Sequence, residues 1–135
     1  MPKLKIALGD LSYLNGRNTF NLYVPLNIGY LAAYAKHHFG ADVDVRLFKD
    51  PKALIDYSRA ERPNLIGLTY YYWNERLNAL AIRKLRGELG NDPLIVLGGP
   101  SIDTNADEQQ RELDRFPGVD AIVPNEGEDA FGSIL

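Results

Sequence analysis

Residues 64–75 read NLIGLTYYYWNE, an apolar run that is followed by four aromatic residues and by the start of a helix. The run LIGL at 65–68 lacks polar alternation, which is typical of a strand buried on both faces of a parallel sheet. A second run of this kind, LIVL, stands at 94–97. Because a strand alternates its faces, residues 70–73 cannot all point into one core. The stretch indicates a central parallel strand that carries a row of aromatic side chains to the edge of the sheet.

Strand and helix patterns alternate on both sides of this stretch. Strands are predicted at residues 3–9, 43–48, 64–69, 94–97 and 119–123, and helices at 25–39, 50–61, 75–89, 106–116 and 126–135. Such alternation implies right-handed crossovers and a parallel sheet. The second strand, VDVRLF, alternates apolar and polar residues, so we place it at an edge. The predicted fold is α/β: a flavodoxin-like, doubly wound, five-stranded parallel sheet in the order 2-1-3-4-5, with helices on both faces.

The composition fits one globular domain, residues 1–135, with 45% apolar and 24% charged residues. A net charge of −3 gives no reason to expect a nucleic-acid partner, since phosphate binding needs a basic face. No apolar run approaches the roughly 20 residues that span a membrane, so we expect no membrane contact. The chain has no cysteine, which excludes disulfides, thiolate metal sites and a cysteine nucleophile, and fits a cytoplasmic protein.

In a sheet of this order the topological switch lies between strands one and three, and ligands bind beyond the carboxyl ends of the strands. Four loops meet there, at residues 10–24, 69–75, 98–104 and 124–128. The first is much longer than the roughly 2–6 residues usual in such folds, and long loops are often functional. The third opens with Gly98 and Gly99, which let a bulky group approach the backbone. Aromatic residues, a gap without side chains and a long loop together predict a broad apolar cleft for a large planar ligand.

A second interpretation of the aromatic row stays open. Tyr70 and Tyr72 can continue into the core while Tyr71 and Trp73 pack under the first loop, because aromatic residues are common in strands.

Other ligands and chemistries lack their sequence signals. No G-x-G-x-x-G follows the first strand and no G-x-x-x-x-G-K-[ST] occurs, so dinucleotide and P-loop sites have no phosphate cradle. His37 and His38 are neighbours on a predicted helix and point about 100° apart, so they do not share a metal. No catalytic constellation is visible. Glu126, in the last loop, is a candidate polar contact to ligand amides.

The chain resembles the N-terminal cobalamin-binding domain of cobalamin-dependent radical S-adenosylmethionine enzymes. Relatives of the anaerobic magnesium-protoporphyrin monomethyl ester oxidative cyclase belong to the same family. The similar stretches are PLNIGYLAAYAKHHFGADVDVRLFK at 25–49, RPNLIGLTYYYWN at 62–74, PLIVLGGPSIDTNADE at 93–108 and VDAIVPNEGEDAFGSIL at 119–135. The most specific parts are P-L-x-I-G-Y-L-A-A-Y at 25–34, L-G-G-P at 97–100 and G-E-x-x-F at 127–131.

The resemblance implies that the corrin ring lies across the carboxyl ends of the strands, with its nucleotide tail beside the sheet. Gly98 and Gly99 match the family's position for the tail, and Thr69 and Tyr70 match the small polar residues after strand three. Related methyltransferase and mutase domains carry D-x-H-x-x-G after strand one, and the histidine ligates cobalt. Here Asp10 matches the aspartate and a serine replaces the histidine. Since a hydroxyl is a poor cobalt ligand, the resemblance implies a cobalt whose lower face meets Ser12 and Tyr13 instead.

The residues expected to contact cobalamin are Asp10, Leu11, Ser12, Tyr13, Thr69, Tyr70, Tyr71, Trp73, Asn74, Gly98, Gly99, Pro100, Glu126 and Gly127. No catalytic residue and no metal-ligating residue is expected in this chain. The family's C-x-x-x-C-x-x-C motif is absent, so a [4Fe-4S] cluster and S-adenosylmethionine belong to another part of a longer enzyme.

We therefore interpret the chain as the N-terminal module of a methyltransferase or oxidative cyclase, a module that binds but does not catalyse alone. Its expected partner is the radical S-adenosylmethionine barrel domain of the same enzyme. The alternative is a domain that has lost cobalamin. In that case residues 69–75 and the long first loop form a docking surface for the barrel, as exposed aromatic patches often do.

Overall fold

The computed structural model describes residues 3–12, 26–71, 74–98 and 106–123. In chain order the strands and helices are β1 (Leu4–Gly9), α1 (Leu26–Phe39), β2 (Val43–Phe48), α2 (Pro51–Glu61), β3 (Leu65–Thr69), α3 (Glu75–Leu89), β4 (Leu94–Gly98), α4 (Ala106–Arg115) and β5 (Ala121–Val123). Each predicted element within the described ranges is confirmed, with ends that shift by one or two residues. The helix predicted at 126–135 lies outside the described residues.

The strands form a five-stranded sheet in the order β2-β1-β3-β4-β5, and every neighbouring pair is parallel. The flavodoxin-like order is confirmed, and β2 is at an edge as its alternating sequence predicted. The three inner strands carry the apolar runs, and Ile6, Ile66 and Ile95 on them are fully buried. Because β3 lies between β1 and β4, the topological switch lies between β1 and β3.

Helices cover the sheet on two sides. On one side Leu54 of α2, Ile82 and Leu85 of α3, and Phe116 after α4 pack against Ile66 and Leu97 of the sheet. On the other side Ile28 and Ala35 of α1 pack against Ile6, Leu8, Val43 and Leu65. Side chains alternate along each strand. Leu65 therefore shares the α1 side with Gly67 and Thr69, and Val96 shares it with Gly98.

The two central strands are interlocked by glycine–leucine pairs. In the register of β1 and β3, Leu8 lies opposite Gly67 and Gly9 lies opposite Leu68. A Cβ added at Gly67 would be 2.8 Å from Leu8 Cδ2, and one at Gly9 would be 2.9 Å from Leu68 Cδ2. Real Cβ atoms do not approach other heavy atoms this closely. A side chain at either glycine would therefore force the leucine of the neighbouring strand to shift.

At the amino ends of the strands, Asn64 joins the three inner strands. Its side-chain Oδ1 accepts the backbone N–H of Lys5 at 2.9 Å, and its own N–H donates to Lys5 O at 2.8 Å. Its carbonyl accepts the N–H of Leu94 at 2.9 Å. The register of the three inner strands is thus fixed by the residue that precedes β3. Among the helices of the described ranges, none is both long and apolar enough to cross a membrane.

Candidate functional site

The carboxyl ends of β1, β3 and β4 lie side by side on one edge of the sheet. Gly9 pairs with Leu68, and Thr69 pairs with Gly98. One residue further, the N–H of Tyr70 donates to Gly98 O, so the β3 and β4 strands remain joined past their assigned ends. Among the described site residues, Thr69, Tyr70 and Gly98 are therefore neighbours on one edge of the sheet.

The segment after β1 is buried and held by the edge strand. The N–H of Asp10 donates to Phe48 O at 2.9 Å, and the N–H of Ser12 donates to Lys49 O at 3.1 Å. Asp10 and Leu11 are fully buried, and Ser12 is 3% exposed. The Oγ atom of Ser12 has no hydrogen-bond partner within the described ranges, although it is shielded from water. A buried hydroxyl without a partner is costly, and such an atom in a native fold often faces a ligand or water.

The aromatic row divides between the core and the edge. Tyr70 is 4% exposed, and its ring meets the ring of Phe116 edge-on, with centroids 5.3 Å apart and planes at 76°. It belongs to the core on the α3 side, which confirms for Tyr70 the second interpretation of the row. Tyr71 is half-buried at the edge. Tyr72 and Trp73 lie outside the described residues. That their rings line the apolar cleft therefore remains a prediction.

Gly98 differs from the other strand glycines because the fold does not need it to be glycine. A Cβ at this position would meet Val123 O at 3.5 Å and Val123 Cβ at 3.8 Å, which are ordinary contact distances. Gly98 is half-buried on the α1 side of the sheet, the side that also carries Thr69. Contacts with the described residues therefore do not explain why this position is a glycine.

Two asparagines at the start of α3 hold the site loops together. The Nδ2 atom of Asn74 donates to Leu11 O and to Thr69 O, both at 3.1 Å, and its Oδ1 atom accepts the N–H of Tyr71 at 2.8 Å. Asn78 Nδ2 donates to Thr69 O and to Asn74 Oδ1, also at 3.1 Å. Both side chains are fully buried. Asn74, predicted to contact the cofactor, uses its side chain to bind the backbone of two loops.

Sequence reasoning missed Asn78, although a signal for it exists. The buried residues of α3 are Asn78, Ala81, Ile82, Leu85 and Leu89. Asn78 is the polar member of an otherwise apolar stripe, and a buried amide needs hydrogen-bond partners. Its spacing of four residues from Asn74 places the two amides on one face of the helix. A polar residue on an apolar stripe, one turn after a loop asparagine, was the pattern to notice.

Several predicted contacts lie outside the described residues: Tyr13, Trp73, Gly99, Pro100, Glu126 and Gly127. In the ranges that are described, no group of three or more histidine, cysteine, aspartate or glutamate side chains could hold a metal. His38 Nδ1 instead donates to Tyr34 O at 3.0 Å, and its ring stacks on that of Tyr34.

A groove of about 380 Å³ lies elsewhere, between α3 and the turn that follows α4. Its lining includes Arg83, Arg86, Arg115, Phe116 and Gly118. These residues are on the α3 side of the sheet and near the amino end of β5, whereas Gly98 faces the α1 side at the carboxyl edge. The groove is therefore separate from the candidate site.

Comparison with known proteins gives one family match over nearly the whole chain. The model of the B12 binding domain matches residues 14–135. A relative, the 2-(S-pantetheinyl)-carbapenam-3-carboxylate methyltransferase of Streptantibioticus cattleyicolor, is 31% identical over 120 residues. The match covers 84% of this chain and 17% of that enzyme, so the chain spans less than a fifth of its relative's length.

Solved structures share the fold. A cobalamin-binding protein from Desulfitobacterium hafniense superposes with a TM-score of 0.72 at 16% identity, over 98% of this chain and 58% of that one. The signal receiver domain of the response regulator NarL from Mycobacterium tuberculosis gives a TM-score of 0.60 at 16% identity, over 99% and 97% of the two chains. At such identities the likeness concerns the fold alone, which hosts several functions.

Proposed function

Because the chain belongs to the B12 binding domain family, we propose that it binds cobalamin at the carboxyl edge of its sheet, as one module of a radical S-adenosylmethionine enzyme. When bound, cobalamin supplies a cobalt centre for one-carbon transfer or redox chemistry. The chain itself supplies binding and orientation, as proteins do for such cofactors. It has no cysteine, so a [4Fe-4S] cluster and S-adenosylmethionine are held by another domain of the enzyme, the barrel that we propose as its partner.

Gly98 is the observation that supports the proposal best. A Cβ at Gly9 or Gly67 would push against a neighbouring leucine, whereas one at Gly98 would make only ordinary contacts with described residues. Glycine at such a place permits another group to approach the backbone closely. The place is also the one that the nucleotide tail of cobalamin would occupy beside the sheet. Apolar burial and hydrogen bonds to the backbone would hold the cofactor, since the net charge of the domain is −3.

Below the corrin, we place Ser12 under the cobalt without a bond to it. Its backbone is fixed to the edge strand through Lys49 O, and its hydroxyl has no partner within the described ranges. A hydroxyl is a weaker cobalt ligand than the imidazole that related domains use. Ser12 would thus lie beside the cofactor without ligating its cobalt.

The parent enzyme is proposed to be a methyltransferase, with an oxidative cyclase as the other type. The relative that is 31% identical is a methyltransferase, which favours the first. We place the enzyme in the cytoplasm because the chain has no cysteine.

The alternative of a docking domain without cobalamin gains no support from the described residues. Tyr70 is in the core and Tyr71 is half-buried. The large apolar side chains that are exposed in the described ranges belong to four different elements: Tyr30, Leu47, Leu80 and Leu94. None of them belongs to the row at residues 69–71, and they form no aromatic patch at the carboxyl edge.

A titration with hydroxocobalamin tests the proposal. We expect the chain to perturb the visible spectrum of the corrin and to retain it on a sizing column. Gly98→Leu should abolish binding, because the new side chain fills the room beside the sheet. Gly87→Leu is the matched control, since a Cβ at Gly87 has nothing within 4 Å, and it should bind as the wild type does. Absence of binding by the wild type would refute the proposal, and binding by Gly98→Leu would refute the placement of the tail.

A further inference from the structure

Two buried side chains, Asn74 and Asn78, join the segment after β1 to the segment after β3. We infer that they are positioning residues, which set the spacing between the two sides of the cobalamin cleft without touching the cofactor. The link between the loops rests on the contacts alone. The link to cobalamin rests on the proposed function as well.

The hydrogen-bonding capacity of Asn74 is fully used by the protein. A carboxamide has two N–H donors and an oxygen that accepts two hydrogen bonds. The donors bind Leu11 O and Thr69 O, and the oxygen accepts Tyr71 N–H and Asn78 Nδ2. The two carbonyls also fix the orientation of the amide, since turning it over would place its oxygen against both of them. No capacity remains for a ligand.

Asn78, one helical turn after Asn74, restrains the side chain of Asn74. Its Nδ2 atom donates to Asn74 Oδ1 and to Thr69 O, so one donor binds Asn74 itself and the other binds a carbonyl that Asn74 also binds. Thr69 O therefore accepts a hydrogen bond from each of the two amides. Removal of Asn78 would leave Asn74 with fewer constraints and Thr69 O with one partner fewer, in a place that water does not reach.

The carbonyl of Leu11 makes the arrangement relevant to the site. Leu11 stands between Asp10 and Ser12, the two residues that match the cobalt side of the family motif. Thr69 is the last residue of β3 and Tyr71 lies just after that strand, on the other side of the topological switch. A single side chain, that of Asn74, bonds to both loops. Its position on the rigid start of α3 fixes how far apart the two loops lie.

The test compares Asn78→Leu with Ile82→Val in the 135-residue chain. Leucine keeps the branched shape of asparagine, with bulkier methyl groups at its end, and has no donor. Ile82→Val removes one methyl group from a core residue of the same helix, one turn further on, whose side chain takes no part in the hydrogen bonds between the loops. Asn74→Asp is a second variant, which keeps the acceptor for Tyr71 N–H and loses both donors. All variants are first checked for an intact fold by far-ultraviolet circular dichroism.

Three measurements report on the loops, two without cofactor and one with it. Hydrogen exchange of the Tyr71 amide should become about tenfold faster in Asn78→Leu and Asn74→Asp, because its acceptor is no longer held. The emission of Trp73, the single tryptophan, should shift as well. Hydroxocobalamin affinity should fall about tenfold in both variants, in line with the loss of hydrogen bonds to buried groups, and should be unchanged in Ile82→Val.

The outcomes distinguish the positioning role of the two asparagines from the proposed binding of cobalamin. If the wild type does not bind hydroxocobalamin, the proposed function fails, while faster Tyr71 exchange would still establish that the amides hold the loops. Unchanged exchange and unchanged emission in both variants would overturn the positioning role. An equal loss of affinity in Ile82→Val would also overturn it, since the effect would then follow general stability.

Discussion

Arg86 Nη2 donates to Asp120 Oδ2 at 2.7 Å, and the same carboxylate oxygen accepts the backbone N–H of Ile95 at 2.9 Å. The guanidinium also donates to three backbone carbonyls, those of Gly90, Pro93 and Gly118, at 2.9–3.0 Å. One side chain thus joins the end of α3 to the starts of β4 and β5. Such planar, multiply bonded sites suit arginine and not lysine.

Arg86→Lys should therefore destabilise the fold by about 2 kcal/mol, because lysine cannot reach several of these acceptors at once. The free energy of unfolding in urea measures the effect. Arg83→Lys is the control on the same helix, since within the described ranges Arg83 makes no ion pair, and it should change stability by less than about 0.5 kcal/mol. Equal effects of the two substitutions would contradict the role assigned to Arg86.

Gly9→Ala should be clearly destabilising. Its Cβ would lie 2.9 Å from Leu68 Cδ2 and 3.3 Å from Leu11 Cδ2, and both leucines are buried, so they would have to shift within a packed core. Overpacking of this kind costs about 1–3 kcal/mol. Gly98→Ala, at an ordinary contact distance from Val123, should leave stability nearly unchanged. Urea denaturation of the two variants decides the matter, and a loss of stability in Gly98→Ala as large as that in Gly9→Ala would show that packing demands both glycines.

Tyr70→Ala should cost about 3 kcal/mol or more, because it removes a buried ring that contacts Phe116. Tyr30→Ala removes the same side chain from a position that is 61% exposed, and should change stability by less than about 0.5 kcal/mol. Thermal unfolding of both variants measures the difference. A small effect at Tyr70 would mean that its ring is not part of the core. Tyr70 would then again be a candidate for lining the apolar cleft.

The ion pair between α2 and α3 gives a dependence of stability on pH. A hydrogen bond from Arg59, followed by the charge of the same group, lowers the pKa of Glu88 below its ordinary value of 4.5. The charged form is thus favoured in the folded state. The stabilisation is present above the pKa of the unfolded chain and disappears as the pH falls through the lower folded value.

We therefore expect wild type to exceed Glu88→Gln in melting temperature at pH 7, and the difference to shrink steadily below about pH 4.5. The pair is exposed, with distances of 2.9 and 3.1 Å, so the effect is small and weakens in salt. Melting temperatures measured from pH 7 to pH 3 for both proteins provide the check. A difference that grows on acidification would have the wrong sign.

The fold could be predicted because the pattern of apolar residues in each strand indicates whether one or both of its faces are buried. LIGL and LIVL are apolar on both faces, and VDVRLF is not, so the inner and edge positions follow from composition. The meeting of the loops at one edge then follows from parallel pairing. The first and last residues of the helices and strands were harder to predict. β5 begins at Ala121 because the N–H groups of Val119 and Asp120 bind Phe116 O and Ile95 O, in a turn that precedes the ladder.

The roles of individual site residues were harder to predict. Tyr70 follows the last strand residue, and the alternation of the strand continues through it into the core. Asn74 and Asn78 bind carbonyls of distant residues, whose positions exist only once β1 and β3 are paired. Gly9, Gly67 and Gly98 look alike in the sequence, and only the neighbours of each show which are required by packing.

The glycine–leucine pairs of β1 and β3 also restrict how this sequence can diverge. Since Leu8 fills the room that Gly67 leaves, a lineage that acquires alanine at position 67 should also acquire a smaller residue at position 8. The same coupling should join positions 9 and 68. Relatives that keep this interlock are expected to vary at these sites in pairs, so covariation there would be a trace of strand packing and not of cofactor selection.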